Sequence, residues 1–586
     1  MPSITELSIE LVEQIISYLD QPALYALSQA SKSSYAITLP VLYRHVDLLI
    51  PPGHRIPRID KFLFNILDRP QIANYVRTLR VGLSPASRVS DGQRFLPGEN
   101  DVERLGFKRA MDLFDGDPLL FNGNDLREAL RARDYGAYAA LLLLIIPTLC
   151  RLEIHDHRNE TLRPFHSVLE YMSNRNRFRK DAPPPKNLAD GLLFGSKSDW
   201  HKFDCDSVTH RAVRFTAIEE ISLNCDSKTG HQHDLDLSHI KVWQAWNLSG
   251  IRRVEFMITH KSDRTVWEQM HWRLNRLSGP LNAMKSTTLT NLVIRHSSRI
   301  TGCLRNMFAG TQQLRSLTCE LWHDVSQKEG GDVPEFSLNE WSNALGLVQR
   351  TLETLVLSVE FCDSSQFFFK QPREAGHITD SLNLEGLEKL TTLECPVPFI
   401  SGDYTFLIIN PIEPRLPPSL RHLTLRTDIS SAQFPYPFDT SILPEGLSYS
   451  DAREEVKYLM SARMDVTYLA SASLFLVDQL GHLASISVWQ PPDPKLDWFD
   501  SQLDDLATTC KNKGIAAKVL YPMAMRWRST SHWNLAKEVT LFDPQYPENK
   551  PSPRMFRGER SGVPLGLATQ YHLGEFKKRH IRRSLR

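Results

Sequence analysis

His231, His233, Asp234, Asp236 and His239 cluster within nine residues. Alternating spacing would put His231 and His233 on one face, where imidazoles can ligate a transition metal. Neutral surface histidines in a polar loop explain the same letters. The same holds for His155 and His157, so no metal ligand is assigned. Paired carboxylates occur at Glu219–Glu220 and Asp504–Asp505. Being adjacent, they diverge on regular structure instead of converging on a substrate. The chain has no phosphate-binding P-loop, no dinucleotide-binding glycine motif, no GxSxG elbow and no HExxH. Eight cysteines run from Cys150 to Cys510 without a CxxC pair. That spacing supports neither a disulfide framework nor a cysteine zinc finger, and reduced thiols fit it best. Nothing pairs a nucleophile with a base. The expectation is a non-catalytic protein with no cofactor.

What remains is binding. Lysine plus arginine number 69 and aspartate plus glutamate 68, a balance of +1. No global field draws the chain onto nucleic acid or an acidic membrane, so neither is expected as a partner. Apolar residues make up 41%, enough for a large core. At 586 residues the chain is long enough for about four domains unless repeats stretch one of them. Glu6, Glu10 and Glu13 stand where a signal peptide needs positive charge. The most apolar run, Tyr138 to Ile146, stops at Pro147, far short of the ~20 residues of a bilayer span.

A six-residue pattern, apolar-x-x-apolar-x-apolar, recurs ten times. It reads VRTLRV from Val76, LCRLEI from Leu149, IEEISL from Ile218, IRRVEF from Ile251 and LTNLVI from Leu289. It continues as LRSLTC from Leu314, LETLVL from Leu352, LTTLEC from Leu390, LRHLTL from Leu420 and LASISV from Leu483. The last two apolar positions alternate, so they enter the core from a short strand, and the first packs a turn earlier. Ile515 to Leu520 reads as a closing strand after Gly514. Helical spacing occupies Asp125–Ile146, Val266–Leu277, Leu338–Arg350 and Asp497–Lys513. The pattern resembles a divergent leucine-rich repeat array, although the starts are unevenly spaced against the usual ~20–29 residues. In such an array the residues flanking the inward pair face outward. Arg151, Arg253, Glu255, Arg295, Glu320, His422, Arg426 and Trp489 are therefore candidate contacts for a target protein. Arg295, Arg426 and Trp489 lead, because arginine and tryptophan dominate hot spots.

The first fifty residues have a different texture. Ser8 can cap a helix from Ile9 to Leu19, with Ile9, Val12, Ile15, Ile16 and Leu19 at helical spacing. Pro22 suits the start of a second helix, and Lys32 to Leu39 a third, ended by Pro40. Three helices this short make a very small core and gain stability by burying a residual apolar face on a partner. The stretch LSIELVEQIISYLDQPALYALSQASKSSYAITLPVLYRHVDL resembles an F-box of the fungal type. Leu7, Glu10, Leu11, Ile15, Tyr18, Leu19, Leu24, Leu27, Ser31, Lys32, Pro40, Leu42, Tyr43, Arg44, Val46 and Leu48 match its pattern. Ser8 departs from it, standing where the family usually has proline.

The resemblance implies a substrate-recognition subunit of an SCF-type cullin–RING ubiquitin ligase. On that reading the F-box binds a Skp-type adaptor, and through it a cullin scaffold. Its adaptor contacts would come from Leu7, Ile9, Leu11, Val12, Ile15, Ile16, Leu19, Leu24, Leu27, Leu42 and Tyr43. The alternative is a non-ligase repeat scaffold or protein-binding module. The expected class is α/β: a three-helix F-box at 1–50, a connecting helix or linker at 51–70 and an irregular leucine-rich-repeat-like solenoid at 71–521. An irregular tail at 522–586 ends in the basic KKRHIRRSLR. Cytoplasm, nucleus or both is the expected location.

Overall fold

The computed structural model describes residues 8–50, 56–83, 108, 123–155, 162, 164–166, 168–169, 218–224, 250–257, 286–297, 301–324, 336–362, 378–404, 406, 414–429, 454–489, 502–522, 535–548 and 552–555. The expected helix at Val266–Leu277, the His231–His239 cluster and the basic tail at 577–586 lie outside them. The chain divides into two compact units, Met1–Met257 with Met284–Leu289, and Ile258–Ala283 with Thr290–Arg586. Both are mixed α/β, built on mostly parallel strands.

The first unit opens with α1 (Ile9–Ser17), α2 (Gln21–Ala30) and α3 (Lys32–Leu42). Ser8 occupies the N-cap position of α1 in extended conformation, but its hydroxyl makes no cap bond. Asp20 caps α2 by accepting from the Ala23 N–H, and Ser31 caps α3 by accepting from Ser34. α3 does not stop at Pro40. It runs through to Leu42, and the Tyr43 N–H closes it on the Leu39 carbonyl. Val12, Ile16 and Leu24 form the buried centre of this small core, with Leu19, Leu27, Ile37, Val41 and Leu42 packed against it.

Then follow β1 (His45–Asp47), α4 (Ile59–Asp68), β2 (Thr78–Gly82), α5 (Gly123–Arg131), α6 (Tyr135–Ile145), β3 (Arg151–His155), β4 (Glu220–Asn224) and β5 (Arg253–Met257). The five strands pair in sequence order, all parallel. The expected single helix over Asp125–Ile146 is two. Arg133 takes a left-handed φ of 60° and Asp134 restarts the helix by capping the Gly136 N–H. α6 is buried nearly all round, which is why its sequence shows no stripe. Its Tyr135 hydroxyl donates to the Leu48 carbonyl at 2.7 Å and accepts from the Gly82 N–H at 3.1 Å.

The second unit contains β6 (Asn291–Ser297), α7 (Thr301–Ala309), β7 (Ser316–Asp324), β8 (Phe336–Ser337), α8 (Leu338–Leu345), β9 (Thr354–Cys362), β10 (Ile378–Thr379), β11 (Thr392–Pro396) and α9 (Val397–Ser401). It continues with β12 (His422–Arg426), α10 (Glu454–Gln479), β13 (Ser485–Trp489), α11 (Gln502–Lys513), β14 (Ala516–Pro522), β15 (Leu535–Phe542) and β16 (Ser552–Met555). β6, β7, β9, β11, β12, β13 and β14 pair in that order, all parallel, and β8 pairs with β10 apart from them. Past Pro522, where an irregular tail was expected, β15 and β16 extend the sheet antiparallel. Neither face of LAKEVTLF is purely apolar, so the alternation that marks the other strands is missing.

All ten six-residue motifs are strands, and in every one the three apolar positions are buried. Their pairing is in register: Thr78, Arg151, Glu220 and Arg253 are opposed in the first unit, and Asn291, Ser316, Thr354, Thr392, His422 and Ser485 in the second. Within each unit the rung between neighbouring motifs is also the same. The carbonyl of a motif's second residue accepts from two successive N–H groups of the next strand. Arg77 O takes Cys150 and Arg151, Glu353 O takes Thr391 and Thr392, and Arg421 O takes Ala484 and Ser485. β1 supplies a further such rung. Tyr43, Val46 and Leu48 stand at the motif's apolar spacing, and Arg44 O accepts from Arg77 and Thr78. A hydroxyl just before the motif ties some rungs together: Ser419 donates to the carbonyls of Leu387 and Leu390, and Thr148 to those of Asn74 and Val76.

Gly82 closes β2 with φ +110°, and a Cβ there would sit 1.9 Å from the His155 carbonyl oxygen. Only glycine takes this conformation without strain. Gly82→Ala is expected to destabilise the protein by more than ~1 kcal/mol, read as a lower urea midpoint.

Candidate functional site

α1 carries two stripes. Val12, Ile16 and Leu19 turn toward the small core, while Leu11 and Ile15 are 49% and 41% exposed and Tyr18 is 81% exposed. Positions i, i+4 and i+7 share a face, so Leu11, Ile15 and Tyr18 form one continuous apolar ridge. Tyr25 of α2 and Tyr35 of α3 are also exposed. Of the seven large apolar side chains exposed among the described residues, five therefore lie in the first 35 positions, the others being Leu347 and Tyr546. An apolar concentration of this kind marks a surface that something covers.

Of the eleven side chains expected to meet an adaptor, Leu11 and Ile15 are presented. Val12, Ile16 and Leu24 are buried in the helical core, and Leu19, Leu27 and Leu42 are packed against it. Tyr43 turns inward. Its ring stacks on Phe62 with centroids 6.1 Å apart, and its hydroxyl accepts from the Asn65 amide at 3.2 Å. Leu7 lies outside the described residues, as does the side chain of Ile9. Tyr18, Tyr25 and Tyr35 were absent from the expected set. The i+7 spacing from Leu11 to Tyr18 was the signal for the first of these.

The outward face of the first unit's sheet is a chain of ion pairs. Arg80 on β2 pairs with Asp47 on β1 and, at 3.1 Å, with Glu153 on β3. Arg151 pairs with Glu153 at 2.8 Å and approaches Glu220 on β4 at 3.8 Å. Arg253 pairs with Glu255 along β5 at 3.0 Å. Burial alone would raise the Glu153 carboxyl. The His155 imidazole, 3.7 Å away, and the guanidiniums of Arg151 and Arg80 outweigh it and bring its pKa down to about 2. The His45 pKa is lowered too, by burial and by Arg44 and Arg151.

The second unit's face differs. Thr318, Val356, Glu394, Thr424 and Ser487 lie side by side across β7, β9, β11, β12 and β13. Ser316, Thr354, Thr392, His422 and Ser485 form the row before them. Glu394 is the one carboxylate in these two rows, and its side chain is 20% exposed. Arg426 and Trp489, expected to meet a ligand, are instead buried, as are Glu255 and Glu320. They stand at the far end of their strands, and what they hold is Glu394. Its Oε1 accepts from the Arg426 Nη1 and, at 2.9 Å, from the Trp489 indole N–H. Arg426 also donates through Nε to Asp428 at 2.8 Å, and its guanidinium lies over the Trp489 ring at 5.7 Å. Asp428 accepts in addition from the Val359 backbone N–H. Burial raises the Asp428 pKa despite the guanidinium beside it. Two carboxylates share one cation here. Arg151, Arg253 and His422 remain at least partly exposed, and the side chain of Arg295 lies outside the described residues.

Among the described residues no group of histidines, cysteines and carboxylates could hold a metal ion. Burial raises the thiol pKa of Cys319 and Cys395 and pushes Cys510 up to about 11, so these three are protonated and poor nucleophiles. No described helix is long and apolar enough to cross a membrane. No protein-family model matches the chain, and no curated protein matches it in sequence.

Two outcomes follow from the charges. Glu153 has a folded pKa of about 2 against an ordinary 4.5, so its contribution is complete above pH 4.5 and is lost as pH falls toward 2. Glu153→Gln is therefore expected to be less stable than wild type at neutral pH, with the gap in urea midpoint closing below pH 4.5. Arg426→Leu strands Asp428 and Glu394 and is expected to cost roughly 3–5 kcal/mol at neutral pH, measured by equilibrium denaturation.

Proposed function

We propose that this protein is a substrate-recognition subunit of an SCF-type ubiquitin ligase. The N-terminal helices would dock on a Skp-type adaptor, the adaptor would bring the cullin scaffold, and the strand face would hold the target. The observation that carries this reading is the ridge of Leu11, Ile15 and Tyr18 on a helix whose other side is already packed. A helical unit with so small a core and so much apolar surface is stabilised when a partner covers it. The finer fold description belongs with the same reading: the three helices as an F-box, and the in-register motif strands as a divergent leucine-rich repeat solenoid. Their parallel pairing and repeated rung support it.

No side chain of this protein need react. A receptor acts by concentration: a target held beside the charged conjugating enzyme meets the thioester in an effectively intramolecular step. Lysine attack then occurs on a partner subunit. The reading places the protein in the cytoplasm or nucleus, where such ligases work.

Leu11→Asp with Ile15→Asp changes two presented residues and spares Val12 and Ile16, so the helices are expected to remain folded. Co-purification of adaptor and cullin is expected to fall at least tenfold, since burying an unpaired carboxylate in an apolar contact costs a few kcal/mol per site. Equal recovery with the wild-type chain removes the ligase reading. Adaptor without cullin leaves a scaffold.

A further inference from the structure

We infer that the second unit's strand face takes a protein partner through a basic side chain of that partner, an arginine or lysine set among uncharged residues and lodged at Glu394. The inference rests on the receptor reading for the claim that this face recognises a target, and adds the chemistry of what it recognises.

Glu394 stands in the middle of two rows that are otherwise free of carboxylates, between Val356 and Thr424 on the neighbouring strands. One of its oxygens is fully engaged by Arg426 and Trp489. The other, Oε2, accepts nothing from the described residues. Arg426 and Trp489 are buried, so the carboxylate is held in one orientation before any ligand arrives. Such preorganisation removes an ordering cost from binding. Arg426 is not Glu394's alone, because its guanidinium also serves Asp428. A partner's guanidinium or ammonium over Oε2 gives Glu394 a cation that it does not share with Asp428. The hydroxyls of Thr392, Thr424 and Ser487 around it can donate to or accept from the partner's main chain. A second carboxylate beside the basic residue would be repelled, and so would nucleic-acid phosphate.

A random-peptide display library selected against the intact chain tests this. Binders are expected to be enriched in arginine or lysine flanked by uncharged residues. Synthesised peptides from the pool are expected to lose about tenfold or more in affinity for Glu394→Gln, which keeps an oxygen for Arg426 and Trp489 but removes the charge. Thr424→Lys is expected to do the same by placing a competing ammonium on the adjacent strand. Glu388→Gln, an exposed change in the turn before β11, is expected to bind as wild type. If Glu394→Gln lowers the unfolding midpoint, Thr424→Lys decides alone. A selection that yields no binder, a pool without basic enrichment, or undiminished affinity for the deciding variant overturns the inference. Adaptor capture is measured separately on α1. Its loss with peptide selection intact overturns the ligase reading and leaves the charge preference of the strand face standing.

Discussion

One rung holds each of the two units together, repeated with different side chains. Three apolar residues of a six-residue motif enter the core, and the carbonyl of its second residue accepts from two successive N–H groups of the strand that follows. The first half of the rung is hydrophobic and the second is a hydrogen bond, and each constrains the other. A one-residue slip would turn the fourth and sixth positions outward and leave the shared carbonyl opposite the wrong amides. Because the motif residues of each unit keep the register, their outward positions are also fixed. That is why Glu394 has Val356 on one side and Thr424 on the other.

The rungs were legible because burial demands a pattern. Residues such as Leu393 and Cys395 are buried on an alternating period, and no surface pressure can overwrite that. Less was legible where one face does not decide. α10 buries Val466, Tyr468, Leu469, Ala472, Leu476 and Val477, positions on more than one side, so it shows no single stripe. The end of α10 is fixed from outside it, by the Lys513 ammonium donating to the carbonyls of Val477 and Asp478. No local reading of α10 contains that information. The rung in β1 is masked for another reason: Tyr43, Val46 and Leu48 also belong to the F-box-like pattern.

The candidate site was half legible. By alternation along their strands Arg426 and Trp489 follow the inward Leu425 and Val488, but an outward position is not the same as an exposed one. At the far end of the strands such side chains are buried, and a buried guanidinium must be paired. Asp428 and Glu394 provide the pairing. Residue type pointed to the arginine and the tryptophan as contacts, whereas the arrangement makes them the supports of a carboxylate. On α1, likewise, the expected stripe of Ile9, Val12, Ile15, Ile16 and Leu19 divides, with Ile15 outward and Val12, Ile16 and Leu19 inward. A narrow helix in a minimal core can bury only one side of itself.

β1 follows α3 with only Tyr43 and Arg44 between them, and its backbone completes β2. Leu48 and Ile50 donate to Arg80 and Gly82, and Arg44 accepts from Arg77 and Thr78. The helices are thus not a detachable module. A chain trimmed at residue 50 would lose more than three helices, because the cut leaves β2 as a raw border whose amides and carbonyls invite foreign strands. Grafting another N-terminus here would succeed only if the newcomer brought a strand of its own.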